Sequence, residues 1–157
     1  MNPKLLSISI FIILVMGIVF ISGCKDSKAV PRDLEIIYEW GACHMEKGWN
    51  TLKINSDGDA TLTVEFFGHR EYNKYSFTNS ELLEIYREGV RNNFFRLRRK
   101  HYNSNIRDGW CSELRIKADG REHEVSVSNM DVKQIKRITQ KISEILKSKG
   151  CKIERYF

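Results

Sequence analysis

The side chains able to do chemistry are few, and their spacing suits it poorly. The chain carries four histidines (His44, His69, His101, His123) and four cysteines (Cys24, Cys43, Cys111, Cys151). A zinc site needs about four converging nitrogen, sulfur or oxygen ligands. Cys43, His44 and Cys111 with His101 or His123 would supply them, but no CxxC, HxxxH or HExxH spacing joins these residues. No GxSxG elbow marks a serine nucleophile, and adjacent Cys43 and His44 would point to opposite faces of a strand. Asp57 and Asp59 flank Gly58, yet the segment lacks the spaced oxygens and distal glutamate of a calcium loop. Neither a GxGxxG nor a GxxxxGKS/T phosphate loop is present. The expectation is therefore a chain with no catalytic site, no metal and no cofactor. The alternative is an enzyme or metal-binding protein that uses its His and Cys residues.

The strongest local bias is basic. Lys and Arg number 26 against 20 Asp and Glu, a formal charge of +6 over 157 residues. The excess concentrates in Arg96-Leu97-Arg98-Arg99-Lys100-His101, with Arg87 and Arg91 shortly before it. Arg96, Arg98, Arg99, Lys100 and His101 are the candidate binding residues. Their chemistry suits phospholipid head groups, an acidic envelope polymer or an acidic protein. The competing reading is a solvated helix end, where cations complement the helix dipole.

The N-terminal stretch gives an address. Lys4 is followed by an apolar run from Leu5 to Ile21, and the segment closes Ile21-Ser22-Gly23-Cys24. A short positive region, a long apolar region and small residues form a secretory signal. An uncleaved membrane-spanning helix is the competing reading, at the short end of the roughly 17–25 residues a bilayer requires. The ending resembles the lipobox of prokaryotic lipoproteins. That resemblance implies cleavage after Gly23, lipid on Cys24 and a chain anchored outside the cytoplasm, in the cell membrane or the outer membrane. Residues 24–32 then read as a polar tether ending at Pro31-Arg32. An extracytoplasmic location argues against nucleic acid as a partner. It also permits disulfides. Three cysteines remain beyond Cys24, so three pairings are possible. We expect Cys43–Cys111, joining two parts of the sheet and leaving Cys151 over; three free thiols are the alternative.

Hydrophobic residues are 41% and prolines two, which excludes a collagen-like or wholly disordered chain. Asp33–Trp40 alternates as a strand. Residues 52–59 enter an Asp57-Gly58 turn, Thr61–Phe67 leaves it, and Glu71–Phe77 adds a third meander strand. Thr78 and Glu81 have capping-box spacing, and Leu82, Ile85, Tyr86, Val90 and Phe94 share one helical face. Residues 98–109 read as a polar, basic loop. Cys111–Ala118 and Glu122–Ser128 flank Asp119-Gly120 as a second hairpin. Asp131 with Gln134 is placed to cap a last helix, whose Ile135, Ile138, Ile142 and Ile145 align, and Gly150 ends it. This predicts one α+β domain over 33–150, an antiparallel sheet of two hairpin units with two helices on one face. Residues 151–157 form a tail.

The order of Asp57-Gly58, Phe94-Phe95-Arg96-Leu97, Asp108, Asp119-Gly120 and a helix over 131–148 resembles a group of small, mostly uncharacterised exported domains, and its layout is similar to that of emfourin-type protein inhibitors of metalloproteases. The resemblance implies a non-catalytic binding domain, inhibitor-like in one version.

Overall fold

The computed structural model describes residues 29–43, 48–106 and 109–151. Among these, seven strands form one sheet: β1 (Glu35–Ala42), β2 (Trp49–Asn55), β3 (Asp59–Phe66), β4 (His69–Ser76), β5 (Lys100–Tyr102), β6 (Trp110–Ala118) and β7 (Arg121–Ser128). Helix α1 (Asn79–Arg91) follows β4, and α2 (Lys133–Ser148) follows β7. The spatial order is β4-β3-β2-β1-β6-β7-β5, antiparallel throughout except that β5 runs parallel to β7. The architecture is the α+β layout the sequence predicts.

Alternation along the strands decides which face is covered. Ile36, Tyr38 and Trp40 of β1, Leu52 and Ile54 of β2, and Leu114 and Ile116 of β6 are buried. Their neighbours Ile37, Glu39, Lys53, Glu113 and Arg115 lie on the opposite, helix-free face, because successive side chains on a strand alternate. Leu82, Ile85 and Tyr86 of α1 and Ile135, Ile138, Ile142 and Ile145 of α2 close the core. Burying each such aliphatic side chain contributes about 1.5–3 kcal/mol.

The capping box forms as spaced. The Thr78 hydroxyl accepts from the Glu81 N–H at 3.3 Å, and the Glu81 carboxylate accepts from the Thr78 N–H at 2.7 Å. Lys149, at the far end of α2, also reaches Glu81 at 2.8 Å. Partial burial pushes the Glu81 carboxyl up, but Lys149 and the Thr78 donors outweigh it and hold it low.

Three local expectations need correction. Helix α1 stops at Arg91 rather than running on to Phe94. The Asn92 side-chain amide donates to the Glu88 carbonyl at 2.8 Å, and Asn93 turns left-handed at φ 55°. Phe94–Arg96 then form a separate 3-10 turn that buries Phe94. Second, Asp131 does not cap α2. Its carboxylate takes Lys136 at 3.2 Å, and Val132 stands at the cap position with no side-chain bond. Third, the stretch expected as loop contains β5, which is too short to show any alternation in sequence.

Strand directions give the sheet two ends. The turn end holds the start of β1, the β2–β3 and β6–β7 turns and the start of α1. The disulfide end holds the close of β1, the β3–β4 turn and the starts of β2 and β6.

Candidate functional site

At the disulfide end, β1 and β6 are neighbours and Gly41 pairs with Cys111. The Cys43 N–H donates to the Gly109 carbonyl at 2.9 Å, which brings the two cysteines to a Cα separation of 4.9 Å. They form a disulfide, as expected, and Cys151 stays free and buried. Asn129, left-handed at φ 59°, ties the neighbouring loop together. It donates from its backbone to the Trp110 carbonyl at 2.9 Å and from its side chain to the Ile106 carbonyl at 3.0 Å. Gly109 leaves room for the Asn129 amide, which a Cβ there would displace.

The disulfide removes Cys43 and Cys111 as thiolate ligands. Among the described residues, no three His, Cys, Asp or Glu groups converge to hold a metal. His44 and Asp108 lie outside the described residues, as does Cys24 with residues 25–28.

Most of the large exposed apolar side chains gather at this same end; Tyr72, 63% exposed, lies mid-strand on β4. Phe66 is 55% exposed, Phe67 70% and Trp110 48%, with Tyr102, Ile106 and Met130 also exposed. Phe66 and Phe67 meet edge to face with centroids 4.5 Å apart. Phe67 has φ 47° and Gly68 φ 78°, so both residues of the two-residue β3–β4 turn are left-handed. Such turns favour Asn, Asp or Gly at their first position, and a bulky residue there is strained. The sequence reading took Phe67 as the last residue of a strand and missed this. The available signal was a Gly directly after two aromatics.

Trp110 and Met130 border a cleft of about 410 Å³ above Tyr38, Val127 and Ile135. Burial pushes the Tyr38 phenol up to about 12, although its bond with Thr139 opposes the shift, so it stays neutral. The three tryptophans lie on the strands that carry the disulfide, Trp49 paired with Gly41 and Trp110 with Ala42. Trp40 is buried and stacks on Tyr38 at 4.5 Å, and Trp49 is half-buried. Charge at this end is partly self-neutralised, with Arg70 on Glu65 at 2.6 Å and Lys136 on Asp131 at 3.2 Å.

The basic run occupies a different place. It follows the β7 edge from the turn end toward the middle of the sheet, as the Leu97 carbonyl bonds His123 Nε2 at 2.9 Å and Ser126 N–H donates to the Arg99 carbonyl at 2.8 Å. Arg96, Arg98, Arg99 and Lys100 are exposed. His101 is half-buried on β5, in register with Val127, so it does not share the open exposure of the other four. Arg121 lies 4.5 Å over the Phe95 ring and extends the basic edge to the β6–β7 turn.

The N-terminal segment meets the fold with Ala29–Arg32 beside Ser56, Asp57, Asn79, Ser80 and Leu83, at the β2–β3 turn and the start of α1, and Asp33 then reaches the β6–β7 turn. The Asp33 carboxylate accepts from the Asp119 and Gly120 N–H groups, each at 2.8 Å. The Gly120 donor is the largest cause holding the Asp33 carboxyl below its usual value. The Tyr86 hydroxyl donates to the Asp119 carboxylate. Tyr86 is pushed up to about 12, first by desolvation and then by that bond.

No helix among the described residues is long and apolar enough to cross a membrane. Comparison with known protein families finds no family that matches this chain, and comparison with curated proteins finds no significant match.

Proposed function

We propose that the protein is a lipid-anchored extracytoplasmic binding domain that performs no catalysis. In this reading the anchor is Cys24, and the disulfide end is the partner-contacting end. One observation carries it: the segment leading from Cys24 is fastened by Asp33 to the β6–β7 turn, and the exposed aromatics crowd the opposite end of the sheet. Phe66-Phe67 lies diagonally across the sheet from that fastening, on β3 and β4 rather than β7 and β5. A phenylalanine 70% exposed in a left-handed turn position buries little apolar surface, and strain of this kind is retained where it has a use. Paired aromatics are typical anchors of protein interfaces. An extracytoplasmic protein with an apolar recess is the partner class, and a hydrolase held by an inhibitor-like domain is one version.

Two measurements test the reading. Intact mass of the membrane-extracted protein should match residues 24–157 plus acyl groups. An unlipidated full-length mass overturns the anchor. A photo-crosslinking residue at position 67 should capture one discrete protein partner, and one at position 74 should not. Equal capture at both positions overturns the aromatic end as the contact.

A further inference from the structure

The disulfide end carries both halves of a contact. The projecting half is the Phe66-Phe67 ring pair, exposed on the β3–β4 turn. The receiving half is the cleft of about 410 Å³ beside the first turns of α2, lined by Tyr38, Val127 and Ile135 and flanked by the exposed Trp110 and Met130. That volume lies within the roughly 300–1,000 Å³ of recesses that take a ligand-sized group, so it has room for a phenyl ring. Strand register puts the two halves on one face. Val64 pairs with Asn50, Asn50 with Trp40 and Trp40 with Ser112, so these four side chains share the helix side of the sheet. Phe66 and Trp110 each lie two residues farther toward the disulfide end, and alternation keeps them on that side. The Phe66 ring rests over Gly48, where a Cβ would come within 2.9 Å of it. The Gly48 carbonyl accepts from the Ala42 N–H, and Ala42 pairs with Trp110. Phe66 and Trp110 therefore belong to the same row across the sheet, three strand spacings or roughly 14–15 Å apart.

From this we infer that the chain pairs with a second copy of itself about a two-fold axis, the Phe66-Phe67 rings of each copy seated in the Trp110–Met130 cleft of the other. The inference rests on the aromatic end being the contact, as proposed above, and it names the recess that receives the rings. A two-fold contact needs a surface complementary to itself, in which residue i meets residue j and j meets i. A projection and a recess of matching apolar chemistry, on one face and at one end, meet that condition and close at two copies. Set on opposite ends they would build an open chain. Seating the rings also removes from water the apolar surface that the strained turn exposes. Local pairing limits like-charge repulsion between copies: Arg70 is held by Glu65 beside the rings, and Lys136 by Asp131 beside the cleft.

The test mixes isotopically heavy copies of the full chain, each with a photo-crosslinking residue in place of Phe67, with light copies that lack it. Crosslinked products are mapped by mass spectrometry. Heavy–light products should form, joined at light peptides that contain Trp110 or Met130. Met130→Glu in the light copy should lower their yield about tenfold, the scale of losing one interface anchor, and Trp110→Ala should act in the same direction. Phe67→Asn in the light copy leaves its cleft intact and removes only the reciprocal contact, so the yield should fall by less. Tyr72→Ser should leave it unchanged, because Tyr72 pairs with Thr63 and is exposed on the opposite, helix-free face. Thermal unfolding of each light variant checks that it is folded. Absence of heavy–light products, joining at any other part of the light chain, or an equal loss with Tyr72→Ser overturns the inference. Capture of a different protein at position 67 also overturns it, while leaving the aromatic end as the contact. Absence of any product at position 67 refutes the contact end itself, a separate result.

Discussion

The β6–β7 and β3–β4 turns have the same backbone and opposite chemistry. Each is a two-residue connection with both residues left-handed: Asp119 at φ 53° and Gly120 at 69°, Phe67 at 47° and Gly68 at 78°. Asp-Gly is the pair this turn prefers. There the Asp119 carboxylate accepts from Tyr86, and both turn amides donate to Asp33. At the other turn a phenylalanine holds the strained position and points 70% of its surface at solvent. The first turn uses every group to fasten chain to chain. The second sets aside local preference for an exposed ring. Where local rules and structure agree, the residue serves folding; where they part, a function is the economical explanation.

The largest way to break this contrast is at the disulfide, the device that holds the aromatic end. It spans a separation of 68 residues, and closing a loop of that size stabilises by about 4 kcal/mol in the chain-entropy model. Cys43→Ser with Cys111→Ser should lower stability by about that amount in urea titration, with exchange rising first in residues 103–111. Unchanged stability would mean that Asn129 and the strand pairing already hold that end.

Next comes the third turn, where Gly58 has φ 87° and would place a Cβ on the Phe77 carbonyl oxygen. Gly58→Ala should cost about 3 kcal/mol, from left-handed strain plus overpacking. Gly120→Ala meets no atom within 4 Å and should cost only about 1–2 kcal/mol. Equal losses would show that conformation alone decides at both sites.

Smaller, and opposite in sign, is Phe67→Asn. Asparagine tolerates the left-handed region, so the domain should gain about 1 kcal/mol in thermal unfolding while partner capture falls. A loss of stability would mean that the ring pair contributes to the fold.

The smallest effect concerns pH. Asp33 is held below its usual 3.8 in the folded chain, so its contribution is complete above that value and fades as pH falls through and below it. Amide shifts of Asp119 and Gly120 should titrate with a midpoint under 3.8, and those of Phe67 and Gly68 should stay flat. A midpoint at or above 3.8 would remove the fastening.

Much of the fold was legible because its signals are local. Alternation in β1 to β3, the Thr78–Glu81 box and the isoleucine stripe of α2 each fix their own element within a few residues. Helix α1 overran because Phe94 kept the helical period, and only the Asn92–Glu88 bond and the Asn93 backbone show the break. The Asp131–Gln134 spacing suited a cap, but Lys136 competed for the same carboxylate. Strand β5 was invisible because three residues pair with a strand some two dozen positions on, in parallel. The candidate site was half visible: the cation run and the aromatics are plain in sequence, but the part of the sheet each occupies is not.

By itself, the sequence determined the element types, the covered faces and a prior for Cys43 with Cys111, since periodicity and turn preference act over a few bonds. Only the tertiary structure decided which elements share an end. It put the basic edge beside the Asp33 corner and the aromatics across from it, because strand order and direction are set by long-range pairing and core burial, which no short window of residues encodes.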